Sequence, residues 1–262
     1  MKACKISSVL AVLGLCIIFT GVAQAACTSI NSLPTNITAS GTYCMTGNVS
    51  KAFTANAITV SANNVTIDLA GFTINQTTIG AGNGLASDGY GNIQVKNGRF
   101  LNFRQAITMN NGNGNVIDNI YIDNGYYGIY MTGSNAVVKN CTVKGVGPAI
   151  NVESVGGYGQ TQNSGSRIVN NDVMAPGSEA IYVGQDDIVI ANNRLTGPGN
   201  MGIFIDIGKR YLILDNQISN FQEGINGRSD TVTSGTYRGT LTSGNGTNYS
   251  LPATFLDAGQ NN

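Results

Sequence analysis

The chain contains no histidine and no tryptophan. Proton transfer therefore falls to carboxylates, Arg, Lys or Tyr, and neither a Ser-His-Asp triad nor a His-ligated metal site can form. Charge is sparse and balanced, with 14 Lys and Arg against 14 Asp and Glu in 262 residues, which leaves no basic footprint for nucleic acid. Three charged residues recur at one offset. Glu153, Asp206 and Arg228 each stand three positions after an isoleucine that itself follows Ala or Gly. The two acids are candidates for acid–base work, and Arg228 for a base or a clamp on a uronate carboxylate. Tyr130, Asn151, Tyr182 and Phe204 stand one position after the same kind of isoleucine. Aromatic faces stack on sugar rings and amides bond hydroxyls, so these four are candidate substrate-binding residues. Asp186, Asp187 and Asp206 are candidate calcium ligands; the competing reading of Asp186-Asp187 is a solvated turn.

The offset exists because the chain repeats. A small residue followed by an aliphatic one recurs at Ala57-Ile58, Gly84-Leu85, Ala106-Ile107, Gly128-Ile129, Ala149-Ile150, Ala180-Ile181, Gly202-Ile203 and Gly224-Ile225. Most steps are 21 or 22 residues apart, and the two longer intervals carry insertions at 77–83 and about 154–165. A second column, Asn97, Asn119, Asn140, Asn170, Asn192 and Asp215, keeps the same step. Apolar and polar residues alternate within each unit, as in Val65-Thr66-Ile67-Asp68-Leu69, so the units are built from short half-buried strands. Gly, Asn and Asp between the strands are turn residues that tolerate left-handed backbone. Three short strands in about 22 residues make one coil of a parallel β-helix. The sequence therefore predicts an all-β solenoid of about eight coils, in which equivalent residues stack about 4.8 Å apart.

Within that frame the Asn97, Asn119, Asn140, Asn170, Asn192 column reads as a structural ladder at a tight turn. A neighbouring column holds Asn171, Asn193 and Asn216, and alternation alone does not say which of the two points inward. The strand after each small-aliphatic step displays two outward columns. One runs Thr108, Tyr130, Asn151, Tyr182, Phe204, Asn226, and the other Asn110, Thr132, Glu153, Gly184, Asp206, Arg228. Glu153 and Asp206 are two coils apart, about 10 Å by the strand spacing. That is at or beyond the separation an inverting glycosidase uses. The insertion beginning Ser154-Val155-Gly156-Gly157-Tyr158 leaves this same strand and is a candidate cleft wall. Packing of Tyr and Phe across coils is the competing reading of the aromatics.

The pattern Asn-x-x-aliphatic, a variable turn, then Gly-Ile-x-aliphatic resembles the right-handed parallel β-helix repeat of the pectate-lyase-like superfamily. Related polysaccharide epimerases and copper-loading periplasmic proteins share that repeat. The likeness covers roughly residues 55–228. It implies a right-handed solenoid whose substrate cleft lies on the outer face of the strand after the small-aliphatic step. The Trp-x-Asp-His signature of pectate lyases, the Asp-Pro-His-Glu motif of alginate epimerases and the active-site His of polygalacturonases are all missing, since Trp and His are missing.

Residues 1–25 read as a secretory signal, with Lys2 and Lys5 before an apolar run and Ala23-Gln24-Ala25 at the cleavage site. No other segment is apolar enough over its length to span a bilayer. Cys4 and Cys16 leave with the signal. Cys27 and Cys44 are expected to pair in an oxidising compartment, and Cys141 reads as a small buried hydrophobe. The expected layout is an N-terminal cap over 26–50, repeats over 51–228 and a polar C-terminal cap or tail over 229–262. The expected role is a secreted or periplasmic protein acting on or binding a polysaccharide or cell-surface glycan. The alternative is a non-catalytic surface, adhesion or structural module.

Overall fold

In the computed structural model of the chain, residues 27–155 and 164–262 are described. The expected signal (1–25) and most of the expected cleft wall (156–163) lie outside the described residues. Among the described residues every regular element is a β-strand and no helix occurs. The strands wind into a right-handed parallel β-helix. One face is a ten-stranded parallel sheet running from Thr35–Ile37 through Asn56–Val60, Ala81–Asp88, Phe103–Asn110, Tyr127–Thr132, Ile150–Glu153, Glu179–Gly184, Met201–Ile205 and Glu223–Gly227 to Thr247–Ser250. The solenoid thus has about ten coils, close to the expected eight. The added coils come from strands on either side of the span read from the repeat, where the small-aliphatic step is not kept. The other two faces share an 18-stranded sheet, joined inside the long strands Gln94–Leu101 and Val116–Asp123, which bend from one face to the next.

The core is a set of aliphatic stacks. Ile58, Leu85, Ile107, Ile129, Ile150, Ile181, Ile203 and Ile225 lie in register from coil to coil and are fully buried. The residue before each must be small. A Cβ added at Gly128 would lie 2.2 Å from the carbonyl oxygen of Ala149 on the next coil.

The asparagines solve the turns. Asn97, Asn119, Asn140, Asn170, Asn192 and Asp215 all have left-handed backbone, with φ between 53° and 58°, a conformation Asn tolerates better than most residues. Their side chains form only part of a ladder. Asn119 donates to Asn97 Oδ1 (3.0 Å), but Asn140 donates to Asp118 (2.9 Å) and Asn97 to Asp68 (3.2 Å). The inward column is the neighbouring one. Asn171, Asn193 and Asn216 are at most 2% exposed. Each amide oxygen accepts the backbone N–H of the equivalent residue one coil earlier: Cys141 N to Asn171 (3.0 Å), Asn171 N to Asn193 (2.9 Å), Asn193 N to Asn216 (3.0 Å). Each amide nitrogen donates to a core-strand carbonyl, Val138, Ile168 and Ile190 in turn.

Cys27 and Cys44 form a disulfide that ties Thr28–Ile30 to the adjacent Gly41–Met45. Closing a loop of that length is worth about 3 kcal/mol in the chain-entropy model. At the other end the last residues fold over the strand edge. Asn261 Oδ1 accepts the Thr240 N–H (3.0 Å), and Thr242 N donates to Asn262 O (2.6 Å). The inward ladder thereby gains a final rung.

Adjacent asparagines should respond differently to mutation. Asn193→Ala strands the Asn171 N–H and the Ile168 carbonyl inside the core and is expected to cost about 3 kcal/mol in urea unfolding. Asn192→Gly keeps a residue at ease with positive φ and is expected to change stability by about 0.5 kcal/mol at most.

Candidate functional site

The ten-stranded face carries the sequence-derived residues, and register fixes their order. One column runs Asn36, Thr59, Ala86, Thr108, Tyr130, Asn151, Tyr182, Phe204, Asn226, Ser250. The next includes the pairs Asp88 with Asn110, Thr132 with Glu153 and Glu153 with Gly184. Asp206 and Arg228 follow on the next two coils, each directly after a paired strand residue.

Three of the candidate residues meet at Glu153. Its carboxylate is half-buried, with the Asn151 amide and the Tyr130 hydroxyl close enough to act on its charge. Burial pushes the Glu153 carboxyl above the usual range, the Asn151 amide pulls it back, and the Asp206 charge pushes it up again. Burial, with Glu153 alongside, raises the Tyr130 hydroxyl as well. Gly184 sits between the two acids, and a Cβ there would meet Glu153 Cγ at 3.8 Å. That is an ordinary contact distance, so the Glu153 side chain lies along the sheet beside Gly184.

The other candidates are engaged elsewhere. Asp206 has a side chain only 4% exposed and accepts a 2.5 Å bond from Arg228 Nη1. Arg228 also lies 3.7 Å from Asp230. Tyr182 and Phe204 pack edge to face across adjacent coils, with centroids 5.3 Å apart. The expected calcium ligands do not converge. Asp187 is bound by Arg210 (2.5 Å), Asp186 lies 3.4 Å from Arg210 and 3.7 Å from Lys209, and Asp206 belongs to Arg228. Each acid has a cation where calcium would need it bare. Among the described residues no three His, Cys, Asp or Glu side chains gather as a metal site.

A feature that sequence reasoning missed lies upstream on this face. A groove of about 410 Å³ spans the coils from Asn56 to Tyr130, floored by Thr59, Asn83, Thr108 and Asn110 with Tyr90 and Tyr130 beside it. Asn56, Asn83 and Gln105 each immediately precede a small-aliphatic step, a third outward column in register from coil to coil. That amide column was the available signal. Attention to charged residues passed over it. Asn83 donates to Asn56 (3.0 Å) and Asn56 to Thr59 (3.2 Å). The Oδ1 atoms of Asn83, Asn110 and Asn151 are buried without a partner. Tyr130 belongs to both features, lining the groove and standing beside Glu153.

The model of a family described as periplasmic copper-binding protein (NosD) matches residues 56–249. No match to a curated protein was found. Among solved structures the chain is similar to the A-module of the Azotobacter vinelandii mannuronan C-5 epimerase AlgE6. The identity is 10%, the TM-score 0.49, and the likeness covers 84% of this chain and 79% of that one. It is also similar to DFA-IIIase from Arthrobacter chlorophenolicus A6 (14% identity, TM-score 0.47, 86% and 67% covered). A third likeness is to the A-module of AlgE4 from Azotobacter vinelandii (12% identity, TM-score 0.46, 83% and 80% covered). At 10–14% identity none of these likenesses bears on activity.

Glu153 generates a pH prediction. Its folded pKa is raised, so above the ordinary carboxylate value the native state keeps a proton that the unfolded chain releases. Native stability therefore falls as pH rises through that window. Glu153→Gln removes the effect. Its melting temperature relative to the parent should climb as pH rises from about 4.3, the ordinary Glu value. A difference that shrinks over that range would contradict the assignment.

Proposed function

The chain belongs to the NosD family of periplasmic copper-binding proteins, and from that membership and the geometry of its ten-stranded face we propose that it is a glycan-binding β-helix. The family is periplasmic by description, and the disulfide fits an oxidising compartment. The observation that carries the reading is the groove. It is lined by amides, hydroxyls and tyrosines, and at Tyr130 it runs directly onto Glu153. Flat aromatic walls with hydrogen-bonding side chains between them suit sugar rings. The face is also rigid, since every strand in it is paired in register with its neighbours. A polysaccharide would meet a preformed surface.

Copper does not fit the residues present. The chain has no His. Among the described residues the one free thiol, Cys141, is buried, and burial pushes it up to about 12, so it is no ready thiolate. Met109 and Met131 stack on adjacent coils, but both are buried in the aliphatic core.

Binding is favoured over hydrolysis by a carboxylate pair. That chemistry needs two acids open to the sugar, whereas Asp206 is buried and held by Arg228. Glu153 is then a hydrogen-bonding group at the groove's end, next to Tyr130 and Asn151.

Tyr130→Ala tests the reading. Against a panel of bacterial and plant polysaccharides, the parent protein should bind at least one class. The variant should lose about tenfold or more in affinity by calorimetry, with its far-UV spectrum unchanged. Unchanged affinity in Tyr130→Ala would remove the groove as the binding site.

A further inference from the structure

We infer that the groove selects a neutral, hydroxyl-rich sugar chain and rejects polyuronates. This rests on the glycan-binding reading above and narrows its ligand. A uronate polymer brings one carboxylate per sugar, and a face that desolvates those charges must supply cations to match. None of the groove's lining residues is Lys or Arg, and its one charged group is an acid, Asp88. Glu153 adds a second negative group at the Tyr130 end. Farther along the face Arg228 is paired with Asp206 and lies near Asp230, so its charge is already offset. Polyanions would meet a groove lining that is neutral to acidic, since the exposed Arg104 of Phe103–Asn110 is not among its residues.

The groove instead offers acceptors. Asn83 and Asn110 each hold an amide oxygen out of water and without a partner, an arrangement that is unfavourable until a donor arrives. The terminal amide torsion is soft, so either side chain can turn to meet a donor entering the groove, Asn83 in exchange for its bond to Asn56. Sugar hydroxyls are donors of the right kind. The exposed Asp88 carboxylate is a further acceptor, and its Oδ1 already takes a bond from Asn111 (2.7 Å). Over four coils the groove extends about 14 Å along the solenoid axis, longer than one sugar ring, so the ligand is an oligomer.

The test is calorimetric titration of the full chain with neutral oligosaccharides (cello-, manno-, xylo- and fructo-oligomers) and with oligogalacturonate and oligomannuronate. The expected result is binding of at least one neutral series and none of either uronate. Asn110→Ala should weaken the neutral ligand about tenfold or more. Asp88→Lys, at an exposed position that folding tolerates, should confer measurable uronate binding and weaken the neutral ligand. If Asn110→Ala unfolds, Asp88→Lys alone carries the test. Tighter binding of a uronate by the parent chain, still sensitive to Tyr130→Ala, would overturn the selectivity and spare the glycan-binding reading. Neutral binding unaffected by Asn110→Ala and Asp88→Lys would likewise overturn it. Failure to bind any oligosaccharide would overturn both.

Discussion

The structure depends on what happens to the backbone N–H at the inside of a turn. A β-helix coil turns its corners in two or three residues. The amide that follows a left-handed turn residue then faces the core, where no water reaches it. A buried donor left alone costs as much as a lost hydrogen bond. Here the donor is met by a side chain from the next coil, as in the Cys141–Asn171–Asn193–Asn216 series. Similar bonds close other corners, from Ile93 N to Asn115, Ala136 N to Ser166 and Phe221 N to Asn245. Because each bond joins one coil to the next, the same atoms that satisfy the corner also fix the register.

Fixed register is what makes a face. A slip of one residue would send every outward side chain inward. With the corners locked, residues 22 positions apart in sequence become neighbours about 4.8 Å apart in space. Columns then acquire a chemistry of their own. On the ten-stranded face the amino-terminal coils carry amides and hydroxyls. The middle coils carry Tyr130, Asn151 and Glu153, and the later coils an aromatic pair and the Asp206–Arg228 ion pair. The small residue before each core aliphatic serves the same end, because backbone of the next coil passes too close for a side chain at Gly128.

Much of this was legible in the sequence, because a solenoid writes its geometry as periodicity. The 22-residue step gave the fold, and alternation gave the outward columns in the order that register shows. The expected Cys27–Cys44 link is present. Other features were hidden for physical reasons. Two adjacent asparagine columns have the same spacing, and only backbone geometry separates the left-handed turn residue from the inward rung. The pairing of Arg228 with Asp206 was within reach, since the two stand one coil apart in one column, but reading them as separate catalytic groups set each in isolation. The groove was harder. Its amide column, Asn56, Asn83 and Gln105, keeps the step of the repeat, but which amide oxygens lack partners is set by side-chain geometry.

The account joins a rigid amide-locked core to an amide-lined outer groove, and side-chain amide NMR reports on both at once. On titration with a bound neutral oligosaccharide, the Nδ2 signals of Asn83 and Asn110 should shift. Those of the inward rungs Asn171, Asn193 and Asn216 should stay where they are. Shifts in the rungs with silent groove signals would contradict the account.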